Sequence, residues 1–114
     1  MSVEPGYRAV IAPDGTVRVT SPGGNPVHKL SPDQIEVLWL TFDEGTLRNR
    51  LDESTEDHRG KLFRAVKRLW EAKLLVGGSS FADLDFSESG LEVAEFLFKT
   101  WPGWDLYKKK YEII

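Results

Sequence analysis

Cysteine is absent from the 114 residues, which excludes disulfide frameworks, thiol nucleophiles and thiolate metal sites and fits a reducing compartment. Histidine is scarce: His28 and His58 stand far apart, without a spacing such as H-x-x-x-H, so no metal site is expected. No run approaches the roughly 18 apolar residues of a membrane span. The opening Met-Ser-Val-Glu-Pro-Gly has no basic stretch followed by an apolar one. A cytoplasmic chain with no membrane partner is the expectation. An excess of one charge is also lacking, since 15 cations against 18 anions leave a net charge of -3, which argues against a wholly basic nucleic-acid coat. Gly23-Gly24 and Gly77-Gly78 lack the Lys-Ser/Thr that follows in a phosphate loop, and Ser79-Ser80 has no recognisable base partner. Asp52, Glu53, Glu56 and Asp57 cluster at a helix end and turn, where carboxylates cap and solvate rather than exchange protons. No enzyme and no cofactor is expected, and there is neither an internal repeat nor a low-complexity tract.

What is present suffices for one domain with a core. Hydrophobic residues make up 40% of the chain, including 4 Trp, 3 Tyr and 6 Phe. A chain of this length buries roughly two thirds of its unfolded surface. Tyr7 to Ala12 and Thr16 to Thr20 are β-rich runs joined by Pro13-Asp14-Gly15, a turn sequence, and predict a β-hairpin. Ser21-Pro22-Gly23-Gly24-Asn25-Pro26 cannot continue a strand and reads as a linker. Ser31, Pro32 and Gln34 then form a helix start, with N-cap, first-turn proline and capping-box glutamine. Ile35, Leu38, Trp39 and Phe42 share one stripe of the helix predicted over Pro32 to Phe42. A short helix over Thr46 to Glu53 follows, and Ser54-Thr55 supplies the cap for the next.

That next helix, about Glu56 to Leu75, is the most informative stretch. Taking 100° per residue, Leu62, Phe63, Val66, Leu69, Trp70 and Leu74 lie within roughly 60° of one direction and predict a core face. Six cations, Arg59, Lys61, Arg64, Lys67, Arg68 and Lys73, stand against the single anion Glu71 between residues 59 and 73. Lys61, Arg64 and Arg68 fall opposite the core stripe with Ala65 and Ala72 beside them, a basic face of low relief. Local charge of this kind acts in an acidic protein because distant anions are screened within about 8 Å. A second short hairpin is predicted around Gly77-Gly78, between Leu74-Leu75-Val76 and Phe81 to Phe86. Ser87 or Ser89 caps a helix from Gly90 to Trp101, which Pro102-Gly103 ends. The tail from Trp104 is aromatic and basic, with room for one more short helix.

Helix, short helix, basic helix, hairpin, helix is the order of a winged helix-turn-helix, which sets its second helix-turn-helix helix in the major groove. Arg64-Ala65-Val66-Lys67-Arg68-Leu69-Trp70-Glu71-Ala72-Lys73-Leu74-Leu75-Val76 resembles the end of the recognition helix and the first wing strand of MarR-type and related winged-helix regulators. Leu84-Asp85-Phe86-Ser87-Glu88-Ser89-Gly90 is similar to the family's "L-T-x-x-G" step from the second wing strand into a helix. The resemblance spans residues 31 to 101. It implies double-stranded DNA binding by a homodimer, at a partly palindromic site and sometimes with release by a small ligand. It places Lys61, Arg64, Lys67 and Arg68 toward the groove, beside Arg59, and Arg48 and Arg50 on phosphate. The chain departs from the family in three places. Gly77 to Phe86 holds Asp83 and Asp85 and no cation, Glu56-Asp57 opens the recognition helix, and a hairpin stands where the family has a dimerisation helix.

The expected fold is therefore α+β, mainly α: a winged helix-turn-helix over 31-90, an N-terminal hairpin and linker over 1-30, and a C-terminal segment over 91-114. In that last segment Val93 and Phe96 widen the apolar arc of Leu91, Ala94, Leu97, Phe98 and Trp101 to roughly 220°, more than one partner surface requires. Trp104, Tyr107 and Tyr111 add to it. A homodimer through Val93, Phe96, Leu97, Trp101, Trp104, Tyr107 and Tyr111 is one outcome. Cover by the chain's own hairpin is the other. A second functional class also stands, a winged helix used as a protein-contact adaptor, favoured by the acidic total, the cation-free wing and the aromatic load.

Overall fold

Asp14 accepts a 2.9 Å hydrogen bond from the Thr16 amide through Oδ1, and Gly15 takes φ 91, a left-handed conformation open to glycine. This turn joins strands β1 (Arg8–Ile11) and β2 (Val17–Thr20) in an antiparallel pair running from Arg8↔Thr20 to Ile11↔Val17. A computed structural model describes residues 6–24, 27–43, 55–77, 85–111 and 113. The predicted hairpin is present, but the segment after it does not lead away from the sheet. A 3-10 turn at Pro22–Gly24 precedes strand β3 (Val27–Leu30), which pairs antiparallel with β2 from Val17↔Leu30 to Thr20↔Val27. The sheet is a three-stranded meander in the order β1-β2-β3.

Helix α1 (Pro32–Phe42) begins as the sequence predicts. Ser31 Oγ accepts from the Gln34 amide, and Gln34 Oε1 accepts from the Ser31 amide at 2.9 Å. Ile35 and Leu38 are buried and Trp39 and Phe42 half-buried, but Gln34, Glu36, Val37 and Leu40 are buried too. The helix is enclosed on more than its apolar stripe because β3 and two further helices pack against it.

Helix α2 (Glu56–Glu71) is capped by Thr55, whose Oγ1 accepts from the His58 amide at 3.2 Å. Glu56 and Asp57 occupy its first turn, where the helix dipole favours acids. It ends short of the predicted Leu75. Lys73 adopts φ 64, its amide donates to the Trp70 carbonyl, and the Leu74 amide donates to the Leu69 carbonyl. This pair of bonds is the Schellman closure, here with lysine in the position that glycine usually fills.

The chain then forms β4 (Leu75–Val76), paired antiparallel with β5 (Asp85–Phe86) as Leu75↔Phe86 and Val76↔Asp85. Ser87 caps helix α3 (Glu88–Glu95) through a 3.0 Å bond from the Gly90 amide, and its hydroxyl donates to the Lys73 carbonyl. The predicted helix to Trp101 continues as a π-helical turn, Phe96–Thr100, and the tail forms helix α4 (Trp104–Lys110). The fold is α+β and mainly helical. Its core is one cluster that includes Val17, Val19 and Leu30 of the sheet together with Ile35, Leu62, Leu69 and Leu97 of the helical part. None of the described helices is long and apolar enough to cross a membrane.

Candidate functional site

Helix α2 lies on α1 with Leu62, Ala65 and Leu69 buried. On a wheel that starts at Arg59, these three lie at about 300°, 240° and 280°. The buried direction is therefore rotated by roughly a quarter turn from the sequence-based expectation. Phe63 and Trp70, expected in the core, are 46% and 52% exposed. Ala65, expected on the outer face, is buried. α2 thus buries Ala65 with Leu62 and Leu69 and leaves its bulkiest side chain, Trp70, half in water. The spacing of Leu62, Ala65 and Leu69 held this signal, provided alanine is counted as apolar.

At the first turn of α2 the His58 ring meets the buried Glu36 carboxylate of α1, Nε2 to Oε2 at 2.9 Å. This contact fixes the start of α2 on its neighbour, a structural role for one of the two histidines. His28 lies half-buried on β3, and burial pushes its pKa down. Among the described residues no group of three His, Cys, Asp or Glu is placed to hold a metal ion.

The rotation leaves the cations available. Lys61, Arg64, Lys67 and Arg68 are all exposed, and none forms an ion pair among the described residues. Their directions run from about 80° at Lys67 to about 200° at Lys61, away from the buried side. Lys67 is four residues after Phe63 and three before Trp70, so aromatic surface borders the basic face. Arg59 is half-buried and engaged within the chain. Arg48 and Arg50, with the short helix predicted around them, lie outside the described residues, as do residues 78–84, Asp83 among them.

The residues assigned to dimerisation are covered to different degrees by the chain itself. Val93, Leu97, Trp104 and Tyr107 are buried within the single chain, and Phe96, Trp101 and Tyr111 are half-buried. Part of the cover comes from the N-terminal hairpin, from Tyr7 just before β1 and from the turn after it. The Tyr7 ring stacks on Phe96 with centroids 5.6 Å apart, and its hydroxyl donates to Glu92 Oε2 at 2.9 Å. The Tyr107 hydroxyl donates to the Gly15 carbonyl at 2.7 Å. Burial, with nearby Tyr111 and carboxylates, raises the Tyr107 pKa far above that of a free phenol. The other side is closed by α1, where Trp39 meets Trp104 at 5.3 Å between centroids. Much of the wide apolar arc is thus covered within one chain, while Leu91 is 42% exposed.

No family model matches the chain, no curated protein matches it, and no solved structure matches it. The functional reading rests on the chain's own surfaces.

Proposed function

We propose that the chain is a sequence-specific double-stranded DNA-binding protein, a winged-helix transcriptional regulator of MarR-like type, with α2 as its recognition helix. One observation carries the reading: Lys61, Arg64, Lys67 and Arg68 stand exposed, with no ion pair among the described residues, on a helix whose other side is buried against α1. A helix with its side chains is about 10–12 Å across. The B-DNA major groove is about 12 Å wide and admits one such rod. The short β4–β5 pair that follows α2 occupies the chain position of a wing. In this arrangement lysines neutralise phosphate, and Arg64 or Arg68 reaches a guanine edge with its two-pronged guanidinium.

Fluorescence anisotropy with labelled duplex, read across a salt series, tests this reading. Each lost phosphate contact lowers the slope of log K against log salt by about 0.9. Arg64→Ala with Arg68→Ala should weaken binding and flatten that slope, whereas a wild-type chain that ignores duplex at low salt would refute it. The homodimer expected from the sequence enters this reading only through exposed surface such as Leu106, which is 76% exposed. Sedimentation of the 12.9 kDa chain checks it.

A second reading, a protein-contact adaptor, is favoured by Trp70, since half-exposed tryptophan is a common interface anchor. It predicts that Trp70→Ala abolishes a protein partner's binding and that duplex affinity is absent from the start.

A further inference from the structure

The three N-terminal strands, Arg-Ala-Val-Ile, Val-Arg-Val-Thr and Val-His-Lys-Leu, contain no carboxylate. Side chains alternate between the faces of a sheet. Val17, Val19 and Leu30 are buried and Ala9 and His28 half-buried, so that face lies on the core. The register then sets two rows on the opposite face. One is Val10, Arg18 and Lys29, and the other is Arg8, Thr20 and Val27. All but Thr20 are exposed, Val10 at 66%.

Arg18 and Lys29 stand directly opposite each other, as Cα partners in the β2–β3 register. Cβ atoms in such pairs are about 5 Å apart, and like charges there destabilise a sheet. Among the described residues neither forms an ion pair, and neither does Arg8. A carboxylate or a threonine at either position would serve folding better. A like-charge pair on an open face of a chain with net charge -3 is explained by an anionic partner that relieves the repulsion.

We infer that the outer face of the β1-β2-β3 sheet is a second phosphate-contacting surface for duplex DNA, distinct from α2. Arg8, Arg18 and Lys29 neutralise phosphates, and Val10 and Val27 lie against sugars and thymine methyl groups. The face suits a nucleic-acid backbone rather than a lipid surface because its exposed apolar side chains are the small valines Val10 and Val27. Membrane-surface elements insert larger Trp, Phe and Leu side chains. The inference shares its probe with the proposed function of α2 but rests on different side chains, so the two can fail separately.

The test uses the full chain and a labelled random duplex in a salt series, with three proteins: wild type, Arg8→Gln/Arg18→Gln/Lys29→Gln, and Lys61→Gln/Arg64→Gln/Arg68→Gln. The sheet variant should bind about tenfold or more weakly at low salt, with the log–log salt slope reduced by between about 2 and 3. Its melting temperature should equal or exceed the wild-type value, because the change removes a repulsion. Weaker binding with a raised melting temperature is an outcome that a merely structural role would not produce. If the sheet variant keeps wild-type affinity and slope while the α2 variant loses both, the inference falls and the reading of α2 stands. The converse result keeps the sheet and removes α2, and a wild type that ignores duplex at low salt overturns both. Unchanged duplex binding together with lost binding to phosphatidylserine vesicles would give the face to a lipid surface and overturn the inference. Should the triple variant not fold, Arg18→Gln and Lys29→Gln singly carry the same test, each with a slope change of about 1.

Discussion

At the scale of single residues, two positions show how the environment decides the sign of a change. Gly90 lies in the first turn of α3, where alanine is ordinarily better than glycine by about 1 kcal/mol. A Cβ there would collide with the Leu74 carbonyl oxygen, which belongs to the backbone and cannot swing aside. Gly90→Ala should therefore destabilise the protein by about 1–3 kcal/mol, read as a lower urea midpoint with an unchanged denaturant slope. His28 responds to pH. Its pKa is held down by burial, so the unfolded chain binds the proton more readily than the folded one. The stabilising contribution is full above the unfolded pKa of about 6.5 and is lost as pH falls below it. Melting temperatures of wild type and His28→Gln, compared from neutral to mildly acidic pH, should converge as acid removes the wild-type contribution.

The elements separate what local chemistry reveals in a sequence from what only packing decides. Ser31-Pro32-Gln34 and Thr55 place the starts of α1 and α2 because a cap is a contact between near neighbours. The Pro13-Asp14-Gly15 turn is legible for the same reason. Strand β3 is not, since Val-His-Lys-Leu is only four residues long and is recognisable as a strand only once it lies beside β2. The end of α2 is hidden because its left-handed closing residue is Lys73, with no glycine to announce it. Lys73→Gly should remove that strain and raise stability by about 1 kcal/mol in urea unfolding. The basic residues of the candidate site are legible as a cluster, but the aromatic border is read correctly only if Ala65 is counted with Leu62 and Leu69 on the buried side of α2. Alanine substitution checks the phase directly. Leu69→Ala should cost about 2–5 kcal/mol as a core truncation. Trp70→Ala should cost well under half as much in the same measurement, despite deleting the larger side chain, since half of it is already in water.

For the molecule as a whole, the question is whether the N-terminal sheet is an accessory or part of the folding unit. Its strands supply Val17, Val19 and Leu30 to the same cluster that holds Leu62, Leu69 and Leu97. Each fully buried aliphatic side chain of this size contributes about 1.5–3 kcal/mol. Two polar contacts add to the apolar ones across long sequence separations, Tyr7 to Glu92 and Tyr107 to the Gly15 carbonyl. Residues 31–114 alone would keep the entropy cost of ordering their own backbone while losing the cover over α1, Phe96 and Tyr107. Domain stabilities total only about 5–15 kcal/mol, so a loss of that size leaves little or nothing. The fragment 31–114 should show no cooperative thermal transition by far-ultraviolet circular dichroism, whereas the full chain should melt in one step seen equally by tryptophan fluorescence. A fragment that melts cooperatively near the temperature of the full chain would make the sheet a separate appendage to a self-sufficient helical domain. The intermediate variant Tyr107→Phe grades the coupling without truncation. It removes the hydroxyl and leaves the Gly15 carbonyl without that donor, at a cost of about 1–3 kcal/mol, and both spectroscopic probes should shift together if the sheet and the C-terminal helix unfold as one.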